Sequence, residues 1–411
     1  MATTIGTEAV LEALRRVEAP GVTAAANDVV GLGYVKDLAV GPEGVSLRLE
    51  YPAPLTPARR ASAAQAREAV RALVGPDAKV DVALEGRIPT GFVPTAEAMG
   101  PRPQEPLAPG VKNFIAVGSG KGGVGKSTIA VNLALGLARA GARVGILDAD
   151  IFGPSVPLLL GVTRQAYMED MALRHQAGEG MGPDGQPRLL PYRTHGLLVM
   201  SLGFVVEPDK AAIFRGPRVH HALVQLLGDV EWGELDYLVF DLPPGTGDIH
   251  LSLAQLVPIA GAVVVCTPQP LALADAIKAI DLFRATKTEV LGLVENMSGH
   301  TCGQCGHHED VFGTGGVRDA AFEWKMPFLG AVPLDARVRR SGDRGRPVLA
   351  GPADAEPPSD GAALPIGEAD ARADAGEQAL TDALWGIVDR VTAVLAEKVR
   401  ARPRSLPIRR T

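Results

Sequence analysis

The run Gly120-Lys121-Gly122-Gly123-Val124-Gly125-Lys126-Ser127-Thr128 fits G-x-x-x-x-G-K-[ST], the spacing of a loop that closes around phosphates. Glycines let successive backbone N–H groups converge on phosphate oxygens, and a helix opening behind them adds partial positive charge. In that pattern Lys126 reaches the outer phosphates and Ser127 holds Mg²⁺. Two carboxylate-bearing segments complement it. Leu147-Asp148-Ala149-Asp150 ends one apolar run, and Leu238-Val239-Phe240-Asp241 is a second run closed by an acid. Carboxylates at the C-terminal ends of strands lie where ligands bind in open α/β sheets, and Asp241 is placed to bind Mg²⁺ through water. Pro243-Pro244-Gly245-Thr246-Gly247-Asp248 follows as a stiff turn whose Gly245 can approach a γ-phosphate.

A second chemistry belongs to Cys302-Gly303-Gln304-Cys305-Gly306-His307-His308. A redox dithiol belongs at a helix start after a strand, whereas this pair lies in a Gly/His-rich stretch late in the chain. A zinc site needs four ligands: Cys302 and Cys305 give two and His307 or His308 could add one, but a second Cys or His pair at metal-ligand spacing is absent. An iron–sulfur cluster also takes four ligands, commonly thiolates. One chain supplies two, so a symmetric dimer supplies four. The spacing alone leaves zinc and cluster open. Cys266, inside Val263-Val264-Val265, reads as a core thiol. His307 and His308 read as exposed.

These residues need a scaffold. From Val111 to about Leu349, apolar runs alternate with helical patterns. Phe114–Val117, Arg143–Leu147, Tyr237–Phe240, Ala262–Cys266 and Val290–Val294 read as buried strands, and Ile129–Ala140 reads as helix. This alternation predicts an α/β fold with a doubly wound, mostly parallel sheet. Residues 6–88 read as a separate small α/β domain. There Thr7 caps a helix running to Val17, and Val45, Leu47, Leu49 and Tyr51 alternate along a strand. Thr56-Pro57 opens a helix that Gly75-Pro76 ends, and Val80, Val82 and Leu84 mark a further strand. Residues 89–110 read as a Pro-rich linker and 350–375 as an acidic disordered insert. In 376–400, Leu380, Leu384, Ile387, Val391, Leu395 and Val399 fall on one helical face, expected to pack on the phosphate-loop domain. A basic tail, 401–411, follows.

The chain has 411 residues with net charge −6 and only 4% aromatics, which argues against nucleic acid as a partner. No apolar run approaches the ~18 residues of a membrane span. Met1–Val17 shows no basic start followed by an apolar stretch. Three cysteines exclude a disulfide scaffold. The expectation is a cytoplasmic protein without membrane partners.

Lys121, a second lysine early in the loop, resembles the deviant Walker A motif, K-G-G-x-x-G-K-[ST], of MinD/ParA-like ATPases. Further segments resemble the Mrp/ApbC group of iron–sulfur cluster carriers within that class. They are Asp150-Ile151-Phe152-Gly153-Pro154-Ser155-Val156-Pro157, Arg215-Gly216-Pro217, Trp232-Gly233-Glu234-Leu235-Asp236-Tyr237, Val294-Glu295-Asn296-Met297-Ser298 and Phe312-Gly313-x-Gly315-Gly316. The likeness spans 111 to about 348, and the small N-terminal domain resembles the iron–sulfur-assembly accessory domain often fused to these ATPases. The resemblance implies a P-loop NTPase domain, 111–349, using ATP and Mg²⁺, with Asp150 orienting the attacking water, Lys121 reaching a partner's nucleotide and Asn296 contacting adenine. It implies a homodimer sharing a [4Fe–4S] cluster through Cys302 and Cys305 and delivering it to apoproteins. The rivals are a positioning ATPase acting on membrane or DNA, a zinc-binding scaffold ATPase, and a nitrogenase-like electron donor, whose cluster cysteines are widely separated rather than adjacent. The sequence departs from relatives after the long strand, where Tyr51-Pro52-Ala53-Pro54 lacks their cysteine. The acidic insert has no counterpart in the resemblance.

Overall fold

The computed structural model describes residues 6–23, 27–42, 44–89, 107–151, 153–182, 185–206, 217–302, 305–350 and 375–401. The chain divides into two compact units, Met1–Pro89 with Asp389–Thr411, and Thr90–Val388. Most of the expected linker, the acidic insert and the basic tail lie outside the described residues, as do Phe152, Arg215, Gly216, Gly303 and Gln304.

The first unit runs α1 (Thr7–Leu14), β1 (Val35–Gly41), β2 (Gly44–Tyr51), α2 (Pro57–Val74) and β3 (Lys79–Gly86). Its sheet has the order β1-β2-β3, antiparallel then parallel, with Val45 opposite Val80 and Leu47 opposite Val82. The alternating residues of β2 are buried and pack with Ala63, Ala66 and Val70 of α2. Thr56 caps α2 by accepting the Arg59 amide, Pro57 follows it, and Gly75 at φ +96° ends the helix. Two local features differ from expectation. Thr7 is already helical and Gly6 is the cap. The helix stops at Leu14, and Val17 instead accepts the Val29 amide. Strand β1 has no regular alternation to read, because a register shift between Lys36 and Ala39 accompanies Asp37 at φ +53°.

The second unit begins with β4 (Phe114–Gly118), α3 (Lys126–Arg139), β5 (Val144–Asp148), α4 (Val156–Leu159), α5 (Arg164–Gln176), β6 (Tyr192–Thr194), β7 (Leu197–Ser201) and α6 (Leu202–Val205). It continues with α7 (Pro217–Gly228), β8 (Tyr237–Asp241), α8 (Asp248–Leu256), β9 (Ile259–Cys266), α9 (Pro270–Ala285), β10 (Val290–Asn296), β11 (His300–Thr301) and β12 (His308–Glu309). α10 (Gly316–Glu323), β13 (Phe328–Val332), α11 (Ala336–Asp343) and α12 (Ala375–Ala401) follow. The eight-stranded sheet has the order β13-β10-β9-β4-β8-β5-β7-β6. Every neighbouring pair is parallel except the edge pair β6–β7. Strands β4, β5, β8, β9 and β10 are buried along their whole length, which accounts for their continuous apolar runs. The crossover from β4 runs to β5 on one side of it, and the crossover from β8 later passes to β9 on the other side. This topological switch opens the crevice at the carboxyl ends where the phosphate loop lies.

The last helix corrects one expectation. Leu380, Leu384, Ile387 and Val388 are buried in the second unit, whereas the helix from Asp389 on belongs to the first. Within that first unit, Thr56 donates to the Asp389 carboxylate at 2.6 Å. Arg59, 1% exposed, donates to the Asp389 carbonyl at 3.0 Å and the Thr392 hydroxyl at 2.9 Å. A single apolar stripe specifies burial but not which surface covers it.

Candidate functional site

The phosphate loop joins β4 to α3 and lines a cavity of about 330 Å³ with Lys121, Gly123, Lys126, Ser127, Asp150 and Pro244 on its wall. Two glycines are demanded by their surroundings. A Cβ on Gly120 would come within 2.1 Å of the Asp275 backbone, and one on Gly125, at φ +82°, within 2.1 Å of Asn296 Nδ2. Lys126 Nζ lies 2.5 Å from Asp241 Oδ1 and 3.2 Å from the Ser127 hydroxyl. Asp241 is fully buried, and its Oδ2 has no hydrogen-bond partner among the described residues. Burial pushes its carboxyl upward, opposed by Lys126. Buried carboxylate oxygen beside a hydroxyl is a donor set that suits a hard divalent cation such as Mg²⁺.

Asp148 is also fully buried, and one turn depends on it. Its carboxylate accepts from the amides of Asp150 at 3.0 Å and Val156 at 3.1 Å, and from the Ser201 hydroxyl at 3.3 Å. Burial, then the nearby Asp241 charge, raises its carboxyl well above the usual range. It therefore frames the loop that carries Asp150 to the cavity wall, a role its position beside Asp150 did not reveal. Gly245, at φ +90°, donates its amide to the Ser119 carbonyl at 2.9 Å and so ties the Pro243–Gly247 turn to the loop. Asn296 is 7% exposed and donates to the Val124 carbonyl at 2.8 Å. It braces the loop backbone here, where the resemblance implied an adenine contact.

The cysteines sit at the turn of a small hairpin, β11 paired with β12. The Cys302 amide donates to the His307 carbonyl at 2.8 Å, and the Gly306 amide to the Cys302 carbonyl at 2.9 Å. Cys302 is half-buried and Cys305 exposed. His308 turns its ring to the hairpin itself, with Nδ1 3.2 Å from the Thr301 hydroxyl and Nε2 3.2 Å from Asp310. His307 is exposed. Among the described residues no cluster of three or more His, Cys, Asp or Glu side chains is poised to hold a metal. Cys266 is buried, its thiol donates to the Thr267 carbonyl at 3.2 Å, and burial pushes it up to about 12, as befits an inert core thiol. Sequence reading also gave Glu295 no role of its own. It is 0% exposed and accepts the Gly315 and Val317 amides, each at 2.8 Å, and the Ser298 hydroxyl. An acid ending an apolar strand was the available signal.

Comparison with known proteins places this geometry in context. A family model described as NUBPL iron-transfer P-loop NTPase matches residues 110–360, and one described as iron–sulfur cluster assembly protein matches 7–82. An iron–sulfur cluster carrier protein of Haemophilus influenzae is 51% identical over 60% of this chain and 62% of its own length. The chain thus spans under two thirds of that relative. One of the same name from Synechocystis is 40% identical over 84% of this chain and 91% of its own. A nucleotide-binding protein from Archaeoglobus fulgidus, solved with ADP, is 38% identical, with TM-score 0.47, over 57% of this chain and 87% of that one. Among the described residues no helix is long and apolar enough to cross a membrane. With a family model covering more than half of its length and a glycine-rich loop seated at the switch of a parallel sheet, the chain belongs to the iron-transfer P-loop NTPases.

Proposed function

We propose that this protein is an ATP-dependent carrier that holds a [4Fe–4S] cluster as cargo between two copies of itself and hands it to apoproteins in the cytoplasm. The observation that carries the reading is the hairpin turn with Cys302 half-buried and Cys305 exposed, in a chain whose family is iron-transfer NTPases. Two thiols at one turn supply half of the four thiolates that a cluster commonly takes. A second copy related by a two-fold axis completes the set. Cargo held at an exposed turn is accessible to a recipient.

At the nucleotide site, Lys126 and Lys121 neutralise phosphate charge, and Ser127 and Asp241 would hold Mg²⁺, which would supply further compensation for charge on the phosphates. Lys126 leaves Asp241 to do so, which frees that carboxylate for the cation. Asp150 orients the attacking water. Gly120, Gly122, Gly123, Val124, Gly125 and Thr128 supply the backbone cradle, and Gly245 senses the γ-phosphate.

The test is anaerobic reconstitution with iron and sulfide, read by visible absorption and Mössbauer spectra. Wild type is expected to bind one four-iron cluster per dimer, and the Cys302→Ser/Cys305→Ser protein none. Equal iron in both proteins, or zinc alone, sinks the carrier reading and returns the chain to a scaffold or positioning ATPase.

A further inference from the structure

The phosphate loop and the cysteine hairpin meet at the end of one strand. Asn296, the last residue of β10, donates to the Val124 carbonyl inside the loop at 2.8 Å. The fit is close enough that a Cβ on Gly125 would strike its amide nitrogen. Glu295, the residue before it, holds both ends of the segment that carries the cysteines. The Ser298 hydroxyl donates to Glu295 at the start of that segment, and the Gly315 and Val317 amides donate to it at the end. Both residues are buried.

Immediately after these two anchors the backbone is strained. Met297 stands at φ +60°, the left-handed region that a long side chain seldom occupies. The strand's exit is fixed by the Ser298 amide on the Val332 carbonyl at 2.9 Å. The hairpin base is fixed by the Leu334 amide on the Gly299 carbonyl at 2.8 Å and by His300 Nδ1, 2.8 Å from the Leu334 carbonyl. A displacement of the Val124 carbonyl therefore has a short covalent route through residues 296 to 298 to the hairpin.

We propose that residues 295–298 couple the two sites, with Asn296 reporting the state of the phosphate loop and Glu295 acting as the positioning residue that sets the Cys302/Cys305 hairpin in response. This deepens the carrier reading and takes its purpose from it, but it concerns contacts present without cargo. A loop that closes on phosphates pulls on Asn296. The strained Met297 is the pivot, and the carboxylate of Glu295 ties Ser298 to Gly315 and Val317, so that the two ends of the segment carrying the cysteines shift together.

The experiment uses the full-length, metal-free protein and a maleimide reagent. The labelling rate of Cys302 and Cys305 is measured with and without saturating Mg-ADP, and buried Cys266 does not contribute. In wild type the nucleotide is expected to change the rate roughly fivefold or more, the low end of ordinary inter-site coupling. In Glu295→Gln, nucleotide affinity is retained and the rate ratio falls toward one. Ser298→Ala removes one of the three groups that bond Glu295, together with the hydroxyl's 3.0 Å contact to Thr314, and gives an intermediate ratio; it decides the matter if Glu295→Gln does not fold. A wild-type ratio of one overturns the proposal, as does a full wild-type ratio in either folded variant. Cluster binding is scored separately by reconstitution. Lost coupling with intact cluster binding removes this inference alone, and lost cluster binding with intact coupling removes the carrier reading alone.

Discussion

At the scale of single residues, His250 is the group whose environment conflicts most with its chemistry. It lies in the first turn of α8, 3% exposed, with its ring 5.9 Å from that of Phe283, and neither ring nitrogen has a hydrogen-bond partner among the described residues. Burial outweighs the pull of the Gly247 carbonyl and, with the Lys126 charge, lowers its pKa from 6.5 to about 4. The unfolded chain takes up the proton first as pH falls, so stability is lost progressively from 6.5 down to about 4. The loss across that window is roughly 3 kcal/mol. Urea unfolding at stepped pH is expected to show this fall, and His250→Phe is expected to flatten it. Equal slopes for the two proteins would show that His250 does not control the transition. This residue was opaque in the sequence, because its burial comes from contacts with distant elements. The loop glycines, Lys126 and the cysteine pair were legible because their chemistry is carried by local spacing. Glu295 and Asp148 fall between the two, since each shows as an acid ending an apolar strand while its partners lie elsewhere in the chain.

At the scale of elements, the parallel strands were readable because strands buried on both faces are continuous apolar runs. The N-terminus of α2 was readable because Thr56-Pro57 is local chemistry. Strand β1 was not, because its register shift erases the alternation, and the short edge strand β6 carries little pattern at all. The last helix was half readable. Its stripe gives the buried face, but the hydrogen bonds of Asp389 to α2 span more than 300 residues of sequence and leave no local mark. Those bonds carry a prediction. Arg59 and Asp389 are both nearly inaccessible and 3.4 Å apart. Removing one partner of such a pair costs about 3 kcal/mol or more, because the other remains buried without compensation. Arg59→Met is expected to show that loss in chemical denaturation of the first unit. A change under about 1 kcal/mol, the worth of an exposed pair, would mean that Asp389 is solvated in solution.

At the scale of the whole molecule, the two-thiol hairpin makes assembly and cargo one question. If the four thiolates come from two copies, iron-loaded protein free of nucleotide sediments as a dimer, and stripping the iron with a chelator lowers the dimer fraction. A cluster-bearing monomer in the ultracentrifuge would require ligands from outside this pair and would rule out sharing across a two-fold axis.

The discontinuity of the first unit has a consequence for how the protein is made. Its apolar core is drawn from residues before position 89, yet the carboxylate that faces Arg59 belongs to residue 389. At about 5–20 residues per second a ribosome needs roughly 15–60 s to bridge that interval. Throughout it the nascent domain has a nearly complete core and an arginine whose counter-ion has not yet been synthesised. The first unit reaches its final stability only when the last helix leaves the exit tunnel, so a nascent chain arrested before Asp389 should be more open to protease at α2 than the finished protein.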